Sequence, residues 1–241
     1  MKRRALILLI VALLTGCTRK NAKTAAPAAT AYGAAITEVS GGKQIAAAGA
    51  VLEQPLVVQV NDAQGNGVAG AYVELHAPAG VVLEPAAGIT DSSGQFTVKV
   101  MLGGTAGRYQ ITALTRDKGG KSYDLKLEEI ALDYQQVLGR QINRQYCSRC
   151  HDPESTPERV SNMDNLVTKP HAFADGETLN KISDADLTAI ITHGGAALNK
   201  SAEMPPYGYT LTKNDIQALL SFIRAVADPP YPAKGVVYAQ N

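Results

Sequence analysis

The sequence predicts a multidomain chain in which an all-β domain of the sandwich class precedes an all-α domain. Residues 35–131 contain short apolar runs that alternate with polar residues and are separated by Gly, Asn, Asp and Ser turns, a pattern typical of strands. From Asp133 onward, apolar residues recur with the 3.6-residue period of helices. The chain has 241 residues, of which 45% are hydrophobic, enough for a core in each of two domains.

The N-terminal residues indicate export. Residues 1–16 place three basic residues before an apolar run at 5–14, which is too short to span a bilayer. Leu14-Thr15-Gly16-Cys17 resembles the lipobox of bacterial lipoproteins. The resemblance implies that residues 1–16 are a removed signal peptide and that Cys17 carries the lipid. The alternative is an ordinary signal peptide with an incidental cysteine.

The composition and net charge limit the classes of partner that the protein can bind. Without residues 1–16, 20 basic residues face 22 acidic ones, a net charge of about −2, which argues against binding to nucleic acid. Residues 17–34 are rich in Ala, Thr, Lys and Pro and have no apolar periodicity, which predicts a flexible tether. We therefore expect an exported protein held by a lipid anchor at the periplasmic face of a membrane, or at the outer membrane or cell surface.

Five runs in the first domain have the alternation expected of strands. In one of them, Val73 and Leu75 are predicted to face inward and His76 outward, as a surface histidine and not a ligand. The turn at residues 61–67 predicts that this run forms a hairpin with the one before it. The runs cover residues 56–60, 71–77, 94–100, 107–113 and 123–127.

Four segments of this domain follow one another in an order that resembles bacterial immunoglobulin-like domains of the invasin and intimin type. They are Ser40-Gly41-Gly42-Lys43-Gln44, Gly65-Asn66-Gly67-Val68-Ala69-Gly70, Thr90-Asp91-Ser92-Ser93-Gly94 and Gly107-Arg108-Tyr109. This resemblance implies an all-β immunoglobulin-like sandwich over residues 35–131. The family provides rigid extracytoplasmic spacers or contact modules and has no catalytic motif to transfer.

Residues 133–146 are predicted to form a helix that leads into a cysteine motif. Ser183 with Asp186, and Thr212 with Asp215, are capping signals for two later helices. Pro229 and the prolines after it end the last helix and leave a tail at 229–241. The buried faces are predicted from Val137, Leu138, Gln141 and Ile142 in the first helix and Ile216, Leu219, Leu220 and Ile223 in the last.

The motif Cys147-Ser148-Arg149-Cys150-His151 predicts one covalently bound haem c. Two thiols at this spacing reach the two vinyl groups of a porphyrin edge, and the adjacent histidine supplies the proximal nitrogen to the iron. A thioredoxin-like redox pair and half of a zinc site are the alternatives. The first would require a β-α-β setting and the second another ligand pair, and neither is found in the sequence. With Cys17 lipidated, no cysteine remains for a disulfide.

Met204 is the candidate for the distal iron ligand. It lies between the two capped helices in Met204-Pro205-Pro206, where the prolines stiffen the backbone. Met163, His171 and His193 are the competitors. Met163 follows His151 too closely to reach the opposite face of the ring without doubling back. His193 ends a helix, and ligation by a second histidine, His193 or His171, is the alternative. A thioether ligand favours ferrous iron more than a second histidine does.

Residues 132–228 resemble class I cytochrome c. The resemblance implies an all-α cytochrome c domain in which Cys147 and Cys150 attach the haem, His151 is the proximal ligand and Met204 the distal one. Gly139 stands where the family has the small residue at which the first and last helices cross.

The sequence departs from that family at two places. Asn143 stands where an aromatic residue is common, and Tyr146 or Phe222 is expected to fill the space. The Gly-Pro pair that often follows the histidine is missing, so either Pro153 or Pro157 is expected to present the carbonyl that orients the ligand ring.

Ligation by two protein side chains predicts an electron carrier cycling between Fe(II) and Fe(III), not an enzyme, and no catalytic residue is assigned. Its partners would be a redox protein donor and a redox protein acceptor, whose identities the sequence does not reveal. The alternatives are a subunit of a larger oxidoreductase complex, a peroxidase-like haem enzyme with an open distal site, and an adhesin-like surface lipoprotein with an accessory haem domain.

Overall fold

The computed structural model describes residues 29–152 and 160–231. An all-β sandwich is followed by a helical region. Cys17, the signal peptide, most of the tether, Pro153, Pro157 and residues 232–241 lie outside the described residues. The strands are β1 (Ala35–Ser40), β2 (Ile45–Ala47), β3 (Leu56–Asn61), β4 (Tyr72–His76), β5 (Val82–Glu84), β6 (Ala87–Ile89), β7 (Gln95–Met101), β8 (Gly107–Arg116) and β9 (Ser122–Leu132).

The strands form two sheets with one core between them. One sheet has the order β1-β3-β7-β5 and the other β2-β9-β8-β4-β6, with β2 parallel to β9 and the other named strand pairs antiparallel. Alternate residues of each strand point into the core, because successive side chains of a strand face opposite ways. Val60, Val73 and Ile111 are completely buried there.

The predicted hairpin between β3 and β4 is wrong. The chain does reverse after β3, where Asn61 bridges Gly67 and the Asp62 N–H donates to the Asn66 carbonyl at 2.9 Å. It then crosses to the other sheet, in which β4 pairs with β8 and β6. Both strands have an apolar face, and two layers allow both faces to enter the same core. The inward positions of Val73 and Leu75 and the exposed position of His76 are confirmed.

The helical region begins without a linker. β9 ends at Leu132, and Asp133 caps the first helix in a capping box with Gln136. The predicted caps at Ser183 and Thr212 are confirmed, each accepting a hydrogen bond from the backbone three residues later. The helices are α1 (Tyr134–Ile142), α2 (Ser148–His151), α3 (Gly176–Leu179), α4 (Asp184–His193) and α5 (Lys213–Val226), with a π-helical segment at Asn143–Cys147 and 3-10 turns at Met163–Asn165 and Gly195–Leu198.

Helices α1 and α5 cross at Gly139. A Cβ at this position would lie 2.0 Å from the Ala218 carbonyl oxygen and 2.8 Å from the Phe222 Cβ, so only glycine permits this approach. The predicted buried face of α5 is confirmed, whereas the prediction for α1 is wrong at Gln141, which is exposed. The crossing fixes α5 beside the segment that carries the cysteine motif.

In the parts of the chain that the structure describes, no helix has both the length and the hydropathy needed to cross a membrane.

Glu129 is a carboxyl group buried in the sandwich. Its side chain is fully buried on β9, with Oε2 accepting from the Gln44 N–H at 2.7 Å and Oε1 lacking a partner. Burial, with a smaller contribution from Glu38 and Glu128, raises the pKa of Glu129 from 4.5 to about 8. The folded protein therefore holds this carboxyl in its neutral form at pH 7.

We expect Glu129 to make the stability of the sandwich depend on pH. The folded state binds the proton more tightly than the unfolded state, so the stabilisation is complete below pH 4.5 and is lost as the pH rises to about 8. The free energy of unfolding should fall by about 1.4 kcal/mol per pH unit in this window. Urea denaturation of the wild type and of Glu129→Gln at several pH values checks this.

Glu84→Gln, at an exposed site on β5, is the control and should keep the wild-type dependence. Identical pH profiles for the wild type and Glu129→Gln would show that Glu129 does not bind the proton.

Candidate haem site

A cavity of about 730 Å³ lies in the helical region. This is within the range of about 300–1,000 Å³ that is usual for small-molecule and cofactor sites. Lys169, Lys181, Lys200 and Glu203 are among its polar lining residues. Its apolar lining includes Leu166, Phe173, Leu179, Ile182, Leu187, Ile190, Ile191, Leu219 and Ile223.

The cysteine motif forms one side of this cavity. Cys147 is buried at the end of the π-helical segment, and Cys150 and His151 lie half-buried in α2. Residues three and four apart lie on the same side of a helix, which is why all three line the cavity together. No disulfide joins Cys147 to Cys150.

The His151 ring is held in one orientation. Its Nδ1 donates to the His171 backbone carbonyl at 2.7 Å, and a carbonyl can only accept, so the lone pair of the ring is on Nε2. The Phe173 ring packs beside it, with centroids 4.7 Å apart. Burial lowers the pKa of His151, and the His171 carbonyl partly opposes that shift. A neutral imidazole with a free Nε2 is the form that ligates iron.

Met204 also lines the cavity, on a loop that is anchored at several points. The Gly195 N–H donates to the Met204 carbonyl at 3.0 Å, and a Cβ on Gly195 would lie 2.1 Å from the Ser201 carbonyl oxygen. After the two prolines, the Tyr207 N–H donates to the Ile191 carbonyl and its hydroxyl to the Tyr146 carbonyl, both at 3.0 Å. The loop is thereby tied to α4 and to the residue before Cys147.

The side chains that compete with Met204 as the distal iron ligand lie in different places. His171 lines the cavity, and its ring Nδ1 lies 2.9 Å from Asp175 Oδ2. His193 is exposed at the last residue of α4, and Met163 lies in a 3-10 turn; neither contributes to the cavity lining. Of the four candidates, Met204 and His171 therefore face the cavity.

The surroundings of Cys147 differ from those of a redox-active thiol. Burial, with a contribution from Cys150, raises the pKa of Cys147 to about 12, whereas a redox-active pair needs a lowered thiol pKa. Within residues 29–152 and 160–231, no group of three or more His, Cys, Asp or Glu side chains is placed to hold a metal ion. Two cysteines that line one apolar cavity together with an oriented imidazole fit a haem.

Several positioning residues are not predicted from the sequence. The carbonyl that orients His151 is that of His171, twenty residues along the chain, while Pro153 and Pro157 lie outside the described residues. Tyr207 is also missed, although an aromatic residue just after the Met-Pro-Pro segment was a usable signal. Tyr146 lines the cavity and contacts Tyr207 edge to face, whereas Phe222 packs at the helix crossing and not in the cavity.

Two family models match the chain. Residues 36–127 match the bacterial Ig-like domain (group 1), and residues 135–223 match cytochrome C oxidase, cbb3-type, subunit III. A bacterial Ig-like domain thus precedes a cytochrome c-type region. The cytochrome c-type family implies haem c binding and suggests electron transfer. No curated protein matches the sequence.

Solved structures resemble part of the chain at low similarity. The D00-D0 domain of intimin is 19% identical with a TM-score of 0.30, over 41% of this chain and 46% of that one. The Yersinia pseudotuberculosis adhesin InvE is 16% identical with a TM-score of 0.32, over 41% and 32% of the two chains. Invasin, a bacterial integrin-binding protein, is 18% identical with a TM-score of 0.30, over 41% and 19%. The chain spans less than half the length of each.

We expect Tyr207→Phe to loosen the loop that carries Met204. The change removes the hydroxyl that donates to the Tyr146 carbonyl, a hydrogen bond worth about 0.5–1.5 kcal/mol of stability. Chemical denaturation of the full chain, followed by helical circular dichroism, measures the loss. Tyr209→Phe is the matched control because Tyr209 is fully exposed. Equal stability of the two variants would show that this hydrogen bond does not hold the loop.

Proposed function

We propose that this protein is an electron-transfer protein, a lipid-anchored monohaem c-type cytochrome with His151 and Met204 as the iron ligands. The observation that carries the proposal is that Cys147, Cys150, His151 and Met204 line one apolar cavity, with the His151 ring oriented by the His171 carbonyl. When bound, the haem supplies a reversible one-electron change in iron valence.

The side chains of the protein prepare the site for that change. The Cys147 and Cys150 thiols would hold the porphyrin edge covalently. The His171 carbonyl keeps the His151 proton on Nδ1, so that the lone pair on Nε2 would be available to the iron. The Tyr207 anchors hold the Met204 loop against α4. Little reorganisation of the protein is then needed when an electron arrives or leaves.

The apolar wall of the cavity would exclude water from a bound haem. Leu187, Ile191, Leu219 and Ile223 come from α4 and α5 and are buried. An apolar surrounding disfavours the more highly charged ferric state, and a thioether ligand acts in the same direction. If His151 and Met204 both bind the iron, no coordination position would remain for oxygen or peroxide, which favours a carrier over a haem enzyme.

A second candidate function is a subunit of a larger oxidoreductase complex. It is favoured by the match of residues 135–223 to a family described as a subunit of cbb3-type cytochrome c oxidase. In either case the partners are a redox protein that donates an electron and one that accepts it, on the exported side of the membrane.

Spectroscopy of the purified mature protein beside Met204→Ala tests the proposal. The denatured, reduced wild type should show the absorption signature of thioether-linked haem, and the oxidised native protein a sulfur-to-iron charge-transfer band. Met204→Ala should lose that band, and the control Met163→Ala should keep it.

Absence of the thioether-haem signature would end the proposal. Persistence of the charge-transfer band in Met204→Ala would show that another sulfur ligates the iron.

We also propose that lipid on Cys17 holds the protein to the membrane. Cys17→Ser should move the protein from the membrane fraction to the soluble fraction, because a multiply acylated cysteine provides a stable anchor. Fractionation of cells followed by immunoblotting measures this. Thr18→Ser is the control and should remain membrane-bound, and a Cys17→Ser protein that also remained there would contradict the lipid assignment.

A further inference from the structure

The Ig-like domain packs directly on the helical region. Ile130 and Leu132 lie at the end of β9, with side chains on the face opposite the sandwich core, and form a buried cluster with Phe222 and Val226 of α5. Phe173 packs against this cluster from the loop before α3. The Arg140 side chain of α1 also donates to the Ile45 carbonyl on β2. The contact is apolar at its centre and hydrogen-bonded at its edge.

Arg108 of the Ig-like domain caps the end of α5. Its side chain is 10% exposed, and its Nη2 donates to the carbonyls of Ala225 and Ala227, while Nη1 pairs with Glu128. The last carbonyls of a helix have no partner within the helix and carry its partial negative charge. The Ig-like domain therefore supplies the cation that binds two carbonyls at this end of the helix.

The segment just after α5 in turn holds the loop before α3. The Asp228 N–H donates to the Ala174 carbonyl at 2.8 Å, and the Gly176 N–H donates to the Asp228 carbonyl at 3.0 Å. A Cβ on Gly176 would lie 2.2 Å from the Pro229 carbonyl oxygen, so the two segments lie in close contact. Movement of residues 227–229 would therefore move residues 174–176.

That loop carries both groups that orient His151. The His171 carbonyl accepts the hydrogen bond from His151 Nδ1, and the Phe173 ring packs on the imidazole. Phe173 reaches the interdomain cluster as well as the core beside the cavity. A continuous set of contacts thus runs from Arg108 and Ile130 of the Ig-like domain to the proximal histidine.

We propose that the Ig-like domain helps to set the geometry of the haem site. In this proposal Arg108 is a positioning residue, which fixes the His151 ring through residues 227–228 and 171–176. This proposal rests on the proposed function, because it assigns His151 to the iron. The redox behaviour of the cytochrome c-type region then depends on a domain that contributes no ligand to it.

Arg108→Met in the full chain tests this proposal. The change keeps an apolar stem at the contact but removes all of the donors. Arg116→Met is the matched control, because Arg116 lies on the same face of the same strand and is exposed. Arg108→Lys keeps the charge and one donor group, so it should restore part of the behaviour, and it replaces Arg108→Met if that variant does not fold.

Two measurements are made on each variant. Hydrogen exchange at the Gly176 and Asp228 amides should become on the order of tenfold faster in Arg108→Met, as loss of about 1.4 kcal/mol would give. The midpoint potential should shift in Arg108→Met, shift less in Arg108→Lys and stay at the wild-type value in Arg116→Met.

Each result of these two measurements tests one step of the proposal. Unchanged exchange in Arg108→Met overturns the coupling between the domains. Faster exchange with an unchanged potential overturns the role of Arg108 in positioning His151. If the wild type contains no haem, the proposed function fails, and the ¹⁵N shifts of the His151 ring then test the positioning by whether Arg108→Met releases the proton from Nδ1.

Discussion

The close contact of α1 with α5 at Gly139 determines the arrangement of the whole helical region. On the α1 side of the crossing, the chain continues through the π-helical segment to Cys147, Cys150 and His151. On the α5 side, Leu219 and Ile223 face the cavity, while Phe222 and Val226 face the Ig-like domain. A side chain at position 139 would push the helices apart, and overpacking of this kind costs about 1–3 kcal/mol in a core. One glycine thus keeps the cysteine motif, the cavity wall and the interdomain contact close together.

The interdomain contact also explains a feature of the β9 sequence. Along most of that strand, buried and exposed residues alternate, but Glu129, Ile130, Ala131 and Leu132 are all buried. A strand that is covered on both faces loses its alternation. The inner face of β9 enters the sandwich core, and the outer face at this end meets α5. The apolar run at 130–132 was therefore available in the sequence as a sign that a second domain covers the sheet there.

The parts that the sequence predicted are those that depend on local patterns. The caps at Ser183 and Thr212, the apolar face of α5 and the small residue at Gly139 follow from spacing along one helix or from the family resemblance. The pairing of β3 was predicted wrongly, because an apolar strand face shows that a strand is buried but not which sheet it joins. The roles of the His171 carbonyl and of Arg108 could not be predicted. Each makes a hydrogen bond to a residue at least twenty positions away along the chain, and one partner in each bond is a backbone carbonyl, which carries no sequence signal.

Burial favours the neutral form of three groups around the cavity. It raises the pKa values of Cys147 and Tyr207 and lowers that of His151, and each shift favours the neutral form. The charged side chains that line the cavity, Lys169, Lys181, Lys200 and Glu203, are exposed. The Ig-like domain supports the same arrangement from outside, because Arg108 places its positive charge on the end of α5 and not in the cavity. The cavity can therefore remain apolar while the segment that orients His151 is held by charge and hydrogen bonds at a distance.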